Sequence, residues 1–390
     1  MSDDLDLRGI DQRHEPDPQF RSALYSRLAA IVTETDPGSV TEAPGLAMID
    51  LERASEKREP SRNGRRIARV ILAVAAVVAI IVVATSEVDD VTPAAAVNPL
   101  VDVRPELVNR GNVELFTVAT DTPRYLALTA LGQFDGTRWS TVPEETRPAE
   151  GTLGHAPPNA EVITQRITIK NLGGSLAPAS RTATSAAWAG ISLSWANEAG
   201  AFYVDGDLQP NYQYQVTFAD SAPTAEELRT ATVDRAPDSA YYNLPSNLPS
   251  AIRDVAVSVT TGATTPYDQA RALQDWFRTN FEYSLTVQRG HSNDAMVNFL
   301  SIRKGYCEQF SGTFAAMARS LGLPTRVVVG FTPGQLRADG LYHVAGRDAH
   351  AWDEVWFDGY GWILFDPTPG RGAPGAEQHT GAAAAQQATP

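Results

Sequence analysis

A change of hydrophobic period near residue 250 most limits what this chain can fold into. Between residues 97 and 221 apolar side chains recur at every second position. The pattern is clean in Tyr212–Phe218, clear in Tyr125–Leu131 and Val162–Ile169, and partial in Glu114–Thr120. A period of two is what a strand with one buried face produces. Turn pairs such as Asp135-Gly136 and Asp205-Gly206 separate these runs. From Ser250 the spacing becomes helical. Thr265 reads as an N-cap, Pro266 as a first helical residue and Asp268 as a first-turn acid. Ala270, Leu273, Trp276 and Phe277 then form one stripe. A short helix is expected over 294–302 and another over 309–321, stopped by Gly322. Thr325–Phe331 and Ala349–Phe357 return to strands. The turn Asp358–Gly361 leads into Trp362–Pro367 as a hairpin.

This order predicts an α+β fold, and 390 residues suffice for two cores. The expected organisation is a β-rich domain over 97–221 and a linker over 222–249 with Pro223, Pro237, Pro245 and Pro249. A mixed domain follows over 250–370, and then a disordered Gly/Ala/Gln/Pro tail over 371–390.

Ahead of these regions, residues 1–64 are polar and read as a largely disordered tail, with one amphipathic stretch over 20–32. Val70–Ser86 carries no charge, and with Ile67 and Ala68 across Arg69 the span 65–86 approaches the roughly 20 residues a bilayer needs. Lys57, Arg58, Arg62, Arg65, Arg66 and Arg69 precede it, and Glu87, Asp89 and Asp90 follow. This charge step predicts one transmembrane helix with the N-terminus cytoplasmic and everything beyond about residue 87 outside the cell. A buried core helix is the plain alternative for a run that is apolar on all faces, and the charge step across it argues against that. A cleaved signal peptide would need residues 1–64 as its n-region, so an uncleaved anchor is expected. The net charge of −14 argues against a nucleic-acid partner.

The candidate chemistry lies in the mixed domain. Cys307 is the sole cysteine, so no disulfide partner competes for it within the chain. It falls at the start of the 309–321 helix, where unpaired N–H groups and the helix dipole favour a thiolate. A small buried hydrophobe is the plain alternative. His350 lies on an expected strand, sharing a face with Trp352, Glu354 and Trp356. Asp366 ends the next strand, so the hairpin can hold the carboxylate beside the imidazole. A thiol, an imidazole and a carboxylate in that order are the parts of an acyl-transfer site. His343 reads as structural or cleft-lining, Asp205-Gly206-Asp207 as a turn, and His14, His155, His291 and His379 as loop residues. No zinc or calcium spacing is present, and neither a metal nor another cofactor is expected.

Several stretches resemble the transglutaminase-like superfamily, whose fold is related to papain. They are Gly305–Phe310, Leu321–Phe331, His350-Ala351-Trp352, Tyr360-Gly361-Trp362 and Asp366–Pro369. Asn98–Asp102, Asn112–Phe116 and Phe134–Ser140 resemble the region ahead of that domain in bacterial membrane proteins of the TgpA type. The resemblance implies a papain-like core in which the helix bearing the cysteine packs on an antiparallel sheet bearing the histidine and aspartate. It implies Cys307 as nucleophile, His350 as general base and then acid, and Asp366 as orienting carboxylate. The substrates would be amides of peptides or proteins, with cell-wall peptides and surface proteins as envelope candidates, cleaved or transferred through a thioester. Animal transglutaminases place an oxyanion-stabilising tryptophan ahead of the cysteine loop, whereas this chain has Arg289-Gly290-His291 there. Tyr283 and the Cys307 N–H are the substitute oxyanion candidates. TgpA-type proteins usually carry several membrane spans, and this chain shows one. The alternative function is a catalytically idle scaffold or binding module in the envelope.

Overall fold

The computed structural model describes residues 95–96, 111–154, 160–288, 290 and 292–386. The expected membrane span, the polar segment ahead of it, and Arg289 and His291 lie outside the described residues. No helix among the described residues is long and apolar enough to cross a membrane.

The main strands of the N-terminal half are β1 (Glu114–Ala119), β2 (Leu126–Leu131), β3 (Glu161–Ile169), β4 (Ala183–Trp188), β5 (Leu193–Ala196), β6 (Ala201–Val204) and β7 (Gln213–Asp220). The helices α1 (Ala225–Thr230), α2 (Ser250–Val259), α3 (Pro266–Asn280), α4 (Asn293–Ile302) and α5 (Cys307–Ser320) follow. Then come β8 (Thr325–Phe331), β9 (Tyr342–Ala345), β10 (Ala349–Phe357), β11 (Gly361–Phe365) and the short α6 (Glu377–Thr380). The period change near residue 250 is therefore real. Strand β3 shows why: Ile163, Gln165, Ile167 and Ile169 are buried, while Val162, Thr164 and Arg166 face solvent.

The two halves share their sheets. A six-stranded sheet runs β4, β7, β3, β1, β9 and then Gln335–Leu336, so β9 from the second half pairs with β1. A four-stranded antiparallel sheet runs β11, β10, β8, β2, so β2 from the first half forms its edge against β8. The pairing of β2 with β8 slips between Val329 and Gly330. A Cβ on Gly330 would stand 2.1 Å from the Leu126 carbonyl oxygen, so only glycine lets the backbones close there.

Helix α5 is buried along its whole length and lies on the four-stranded sheet among the other helices. Phe277, Phe281, Phe299 and Phe310 meet around it with ring centroids 4.9–6.1 Å apart. Each buried phenyl contributes about 1.5–3 kcal/mol. At its far end the buried Arg319 guanidinium donates to the carbonyls of Gly132, Ala240, Asn243 and Thr325 and sits 4.7 Å over Trp139. That one side chain ties the cysteine helix to both halves.

Two stretches differ from expectation. The expected linker carries α1, whose Thr224 and Glu227 form a reciprocal capping box. The expected disordered tail is folded as far as Gln386. Ala373 and Ala376 pack with Tyr125 and Trp352, and the His379 carbonyl accepts from Tyr267 and Arg271 on α3. Small side chains fit closely under the aromatic rings there, which a composition-based reading takes for low complexity.

Candidate active site

Cys307 is the first residue of α5, with Tyr306 as an N-cap that makes no side-chain capping bond. The Cys307 N–H is among the first-turn donors that no helical carbonyl can reach. Its thiol is fully buried and lies against the backbone N–H of Ala351 on β10, the residue next to His350. The helix start and the strand that carries the imidazole thus meet at the sulfur.

His350 and Asp366 come together as the hairpin predicts. His350 Nε2 lies 2.8 Å from Asp366 Oδ2, and both side chains are buried. The register pairs Asp353 with Phe365, so Asp366 reaches His350 diagonally across the hairpin. An ionised carboxylate only accepts, so Nε2 carries the proton and Nδ1 remains the basic nitrogen. Asp366 is further fixed by the Thr368 N–H on Oδ1 at 3.0 Å and by Gln274, whose side-chain oxygen takes the Asp366 N–H at 3.2 Å. Arg278 on α3 donates to the carbonyls of Asp366 and Thr368. Trp352 stacks beside the imidazole at 6.2 Å, with the planes 24° apart.

One member of this cluster comes from the β-rich half, where the sequence shows no catalytic constellation. The Tyr125 hydroxyl donates to Asp366 Oδ2 at 2.9 Å, across 241 positions of sequence. Its ring meets His350 edge-on at 5.6 Å and Trp352 at 5.0 Å. Gly330 explains how it gets there, pairing with His350 on one side and Ala127 on the other. No local pattern marks Tyr125, because its role comes from strand pairing between the halves.

The electrostatics correct one expectation. Burial pushes the Cys307 thiol up to about 12, and the neighbouring Glu308 carboxylate adds to this. The Ala351 N–H and the Arg371 guanidinium oppose the shift without overcoming it. The helix-start position does not yield a depressed thiol here, because desolvation outweighs the few donors. Burial also lowers the His350 pKa against the pull of Asp366. Burial alone would raise Asp366. The imidazole, its hydrogen bond, the Thr368 N–H and Arg278 outweigh that and hold the carboxyl below its ordinary value. These shifts favour a neutral thiol and a neutral imidazole beside a carboxylate.

Tyr283 lies beside Gly305 in a short parallel pair and is largely buried. Desolvation, then the nearby Cys307, raise its hydroxyl far above the ordinary value, so it stays a donor. Glu354 lies in a cluster with Arg181 and Arg326. His343 sits between Glu114 and Asp339 on β9, and buried His379 contacts the Leu364 carbonyl.

Residues 253–367 match the transglutaminase-like superfamily, and residues 28–225 match the TgpA N-terminal domain. The chain is 31% identical over 180 residues to an uncharacterized protein, YebA, of Bacillus subtilis, covering 42% of this chain and 24% of that protein. It is 27% identical over 249 residues to a protein-glutamine gamma-glutamyltransferase of Pseudomonas aeruginosa, covering 55% of this chain and 36% of that protein. The chain thus spans between a quarter and about a third of the length of these two relatives. The crystal structure of the periplasmic domain of TgpA from Pseudomonas aeruginosa superposes with a TM-score of 0.56 at 21% identity, over 70% of this chain and 94% of that one. That likeness shows a shared fold, a mixed α/β core behind a β-rich N-terminal region. The N-terminal match alone covers more than half of the sequence, and the chain belongs to the transglutaminase-like superfamily as a TgpA-type protein.

Proposed function

We propose that this chain is a thiol acyltransferase or amidase that uses Cys307, His350 and Asp366 on carboxamides of peptides or proteins. The observation that carries the reading is the buried His350–Asp366 bond, with its basic nitrogen left over, on the strand whose next N–H touches the Cys307 thiol. Sγ attacks the amide carbonyl carbon while His350 Nδ1 takes the thiol proton. The C–N bond then breaks, and the leaving ammonia or amine takes that proton from the imidazolium. A thioester on Cys307 remains. Water releases an acid and an amine gives a transferred acyl group, with Nδ1 again accepting the incoming proton. Because the resting pair is neutral, the proton moves during attack rather than beforehand. The Cys307 N–H and the Tyr283 hydroxyl are the donors we assign to the oxyanion, where loss of one donor costs about 2.7–4 kcal/mol.

The glutamyltransferase relative points to the side-chain carboxamide of glutamine as acyl donor. The apolar span over 65–86 is read as a single anchor with the N-terminus cytoplasmic. The periplasmic TgpA domain supports an extracytoplasmic site. The test is ammonia release from glutamine-containing peptides by the full chain. Wild type should release it and Cys307→Ala should not, whereas equal rates would sink the reading. A second reading, an idle envelope scaffold, draws on the complete burial of the thiol. It predicts no turnover on any peptide and no acyl group on Cys307 by mass spectrometry.

A further inference from the structure

We propose that Tyr125 is a positioning residue of the catalytic centre, sharing Asp366 Oδ2 with His350 and so tempering the pull of that oxygen on the imidazole proton. The inference rests on the triad reading above and extends it into the β-rich half.

The geometry is specific. Asp366 Oδ2 takes two donors, His350 Nε2 at 2.8 Å and the Tyr125 hydroxyl at 2.9 Å. Oδ1 takes the Thr368 N–H. The tyrosine must donate, because the carboxylate offers no proton and burial keeps the phenol protonated. A carboxylate oxygen that shares its charge with a second donor stabilises the imidazolium less. His350 therefore returns its proton more readily to the departing amine. The ring does a second job. With Trp352 it walls the imidazole, leaving it little freedom to turn away from the thiol. Tyr125 immediately precedes β2, which is pinned to β8 at the Gly330 slip. The β-rich half thus supplies part of the site itself.

Iodoacetamide labelling of Cys307 in the full chain, followed by mass spectrometry from pH 4 to 10, tests this without a known substrate. The acid limb of the profile reports protonation of His350. Tyr125→Phe should move that limb up by about half a pH unit or more, because a charge-assisted hydrogen bond is lost. Its neutral-pH labelling should rise while ammonia release falls about ten-fold. Incorporation of 3-fluorotyrosine in place of Tyr125 leaves packing in place and makes the hydroxyl a stronger donor, so the limb should move down. Should the phenylalanine variant fail to fold, the fluorinated protein decides alone. An unmoved limb in the fluorinated protein, or shifts of the same sign in both, would overturn the proposal. If His350→Ala labels with the wild-type profile, the imidazole does not assist the thiol, and the triad reading falls instead.

Discussion

Strand β10 and its hairpin carry two buried ionic clusters that differ in what they leave over. Near the start of the strand, His350 meets Asp366 and Tyr125. Four residues on, Glu354 lies 3.0 Å from Arg181 and 2.7 Å from Arg326, all three nearly inaccessible. The arginine cluster holds one carboxylate between two guanidiniums. Arg326 also donates to the Glu198 carbonyl and stacks 3.9 Å over Trp362, and Arg181 donates to the Ala199 carbonyl. The imidazole cluster is closed on one side only, for among the described residues no carboxylate faces Nδ1. A buried cluster with no basic nitrogen to spare fixes a fold, whereas one that keeps a basic nitrogen can take part in proton transfer.

The sharpest way to break this comparison is to change each carboxylate in turn. Asp366→Asn should lower the rate of ammonia release about 10³–10⁴-fold, because an amide N–H facing Nε2 forces the proton onto Nδ1 and removes the base. Its urea midpoint should change less than that of Glu354→Ala, since Thr368 keeps its acceptor and the Tyr125 hydroxyl can turn to accept from the new amide. Glu354→Ala should do the reverse. Two buried guanidiniums lose their anion, which costs about 3–5 kcal/mol in urea unfolding. The folded fraction should still turn over near the wild-type rate. If Glu354→Ala loses activity as Asp366→Asn does, the two clusters are one network and the distinction is wrong.

The contrast also explains what was legible in the sequence. Cys307 is legible only as a helix start, and its link to the hairpin comes from the family resemblance, whereas His350 and Asp366 lie in one hairpin, so local periodicity and turn chemistry suffice to bring them together. The strands over 114–119, 126–131, 161–169 and 213–220 follow from alternation for the same reason. Tyr125, Arg181 and Arg319 act through pairings between distant strands and through carbonyls on other elements, and no local period encodes those. Helix position, which favours a low thiol pKa, is local, whereas the burial that raises it is not. The folded segment after Gly370 is not legible either, because alanines that pack under Trp352 have the composition of a linker.

Gly330 joins the two halves at the site, and changing it sharpens the comparison further. Gly330→Ala forces a Cβ to within 2.1 Å of a backbone oxygen, so β2 must move. The stability cost should be about 1–3 kcal/mol, as for other overpacking. Because Tyr125 rides on β2, ammonia release should fall by more than the unfolded fraction accounts for. A variant with normal turnover per folded molecule would show that the site tolerates displacement of Tyr125.

A third carboxyl on the same strand sets the lower end of the scale. Asp353 is fully buried on the helix side of β10, and neither of its oxygens makes a hydrogen bond among the described residues, although the Ser311 hydroxyl lies beside it. Desolvation first, then the nearby Asp366 charge, raise it well above its ordinary value, the opposite of Asp366 itself. The sign follows from proton binding. The folded chain keeps this proton at a pH where the unfolded chain has released it, so the contribution of Asp353 to stability falls as pH rises above about 4. Between pH 5 and 6 that loss approaches about 1.4 kcal/mol at most. Asp353→Asn has no proton to release, so its urea-derived stability should decline less over that interval and exceed wild type by more at pH 6 than at pH 5. Parallel slopes for the two proteins would mean that Asp353 is ionised in the fold. Arg319, the cation nearby in the same core, would then have to be its partner.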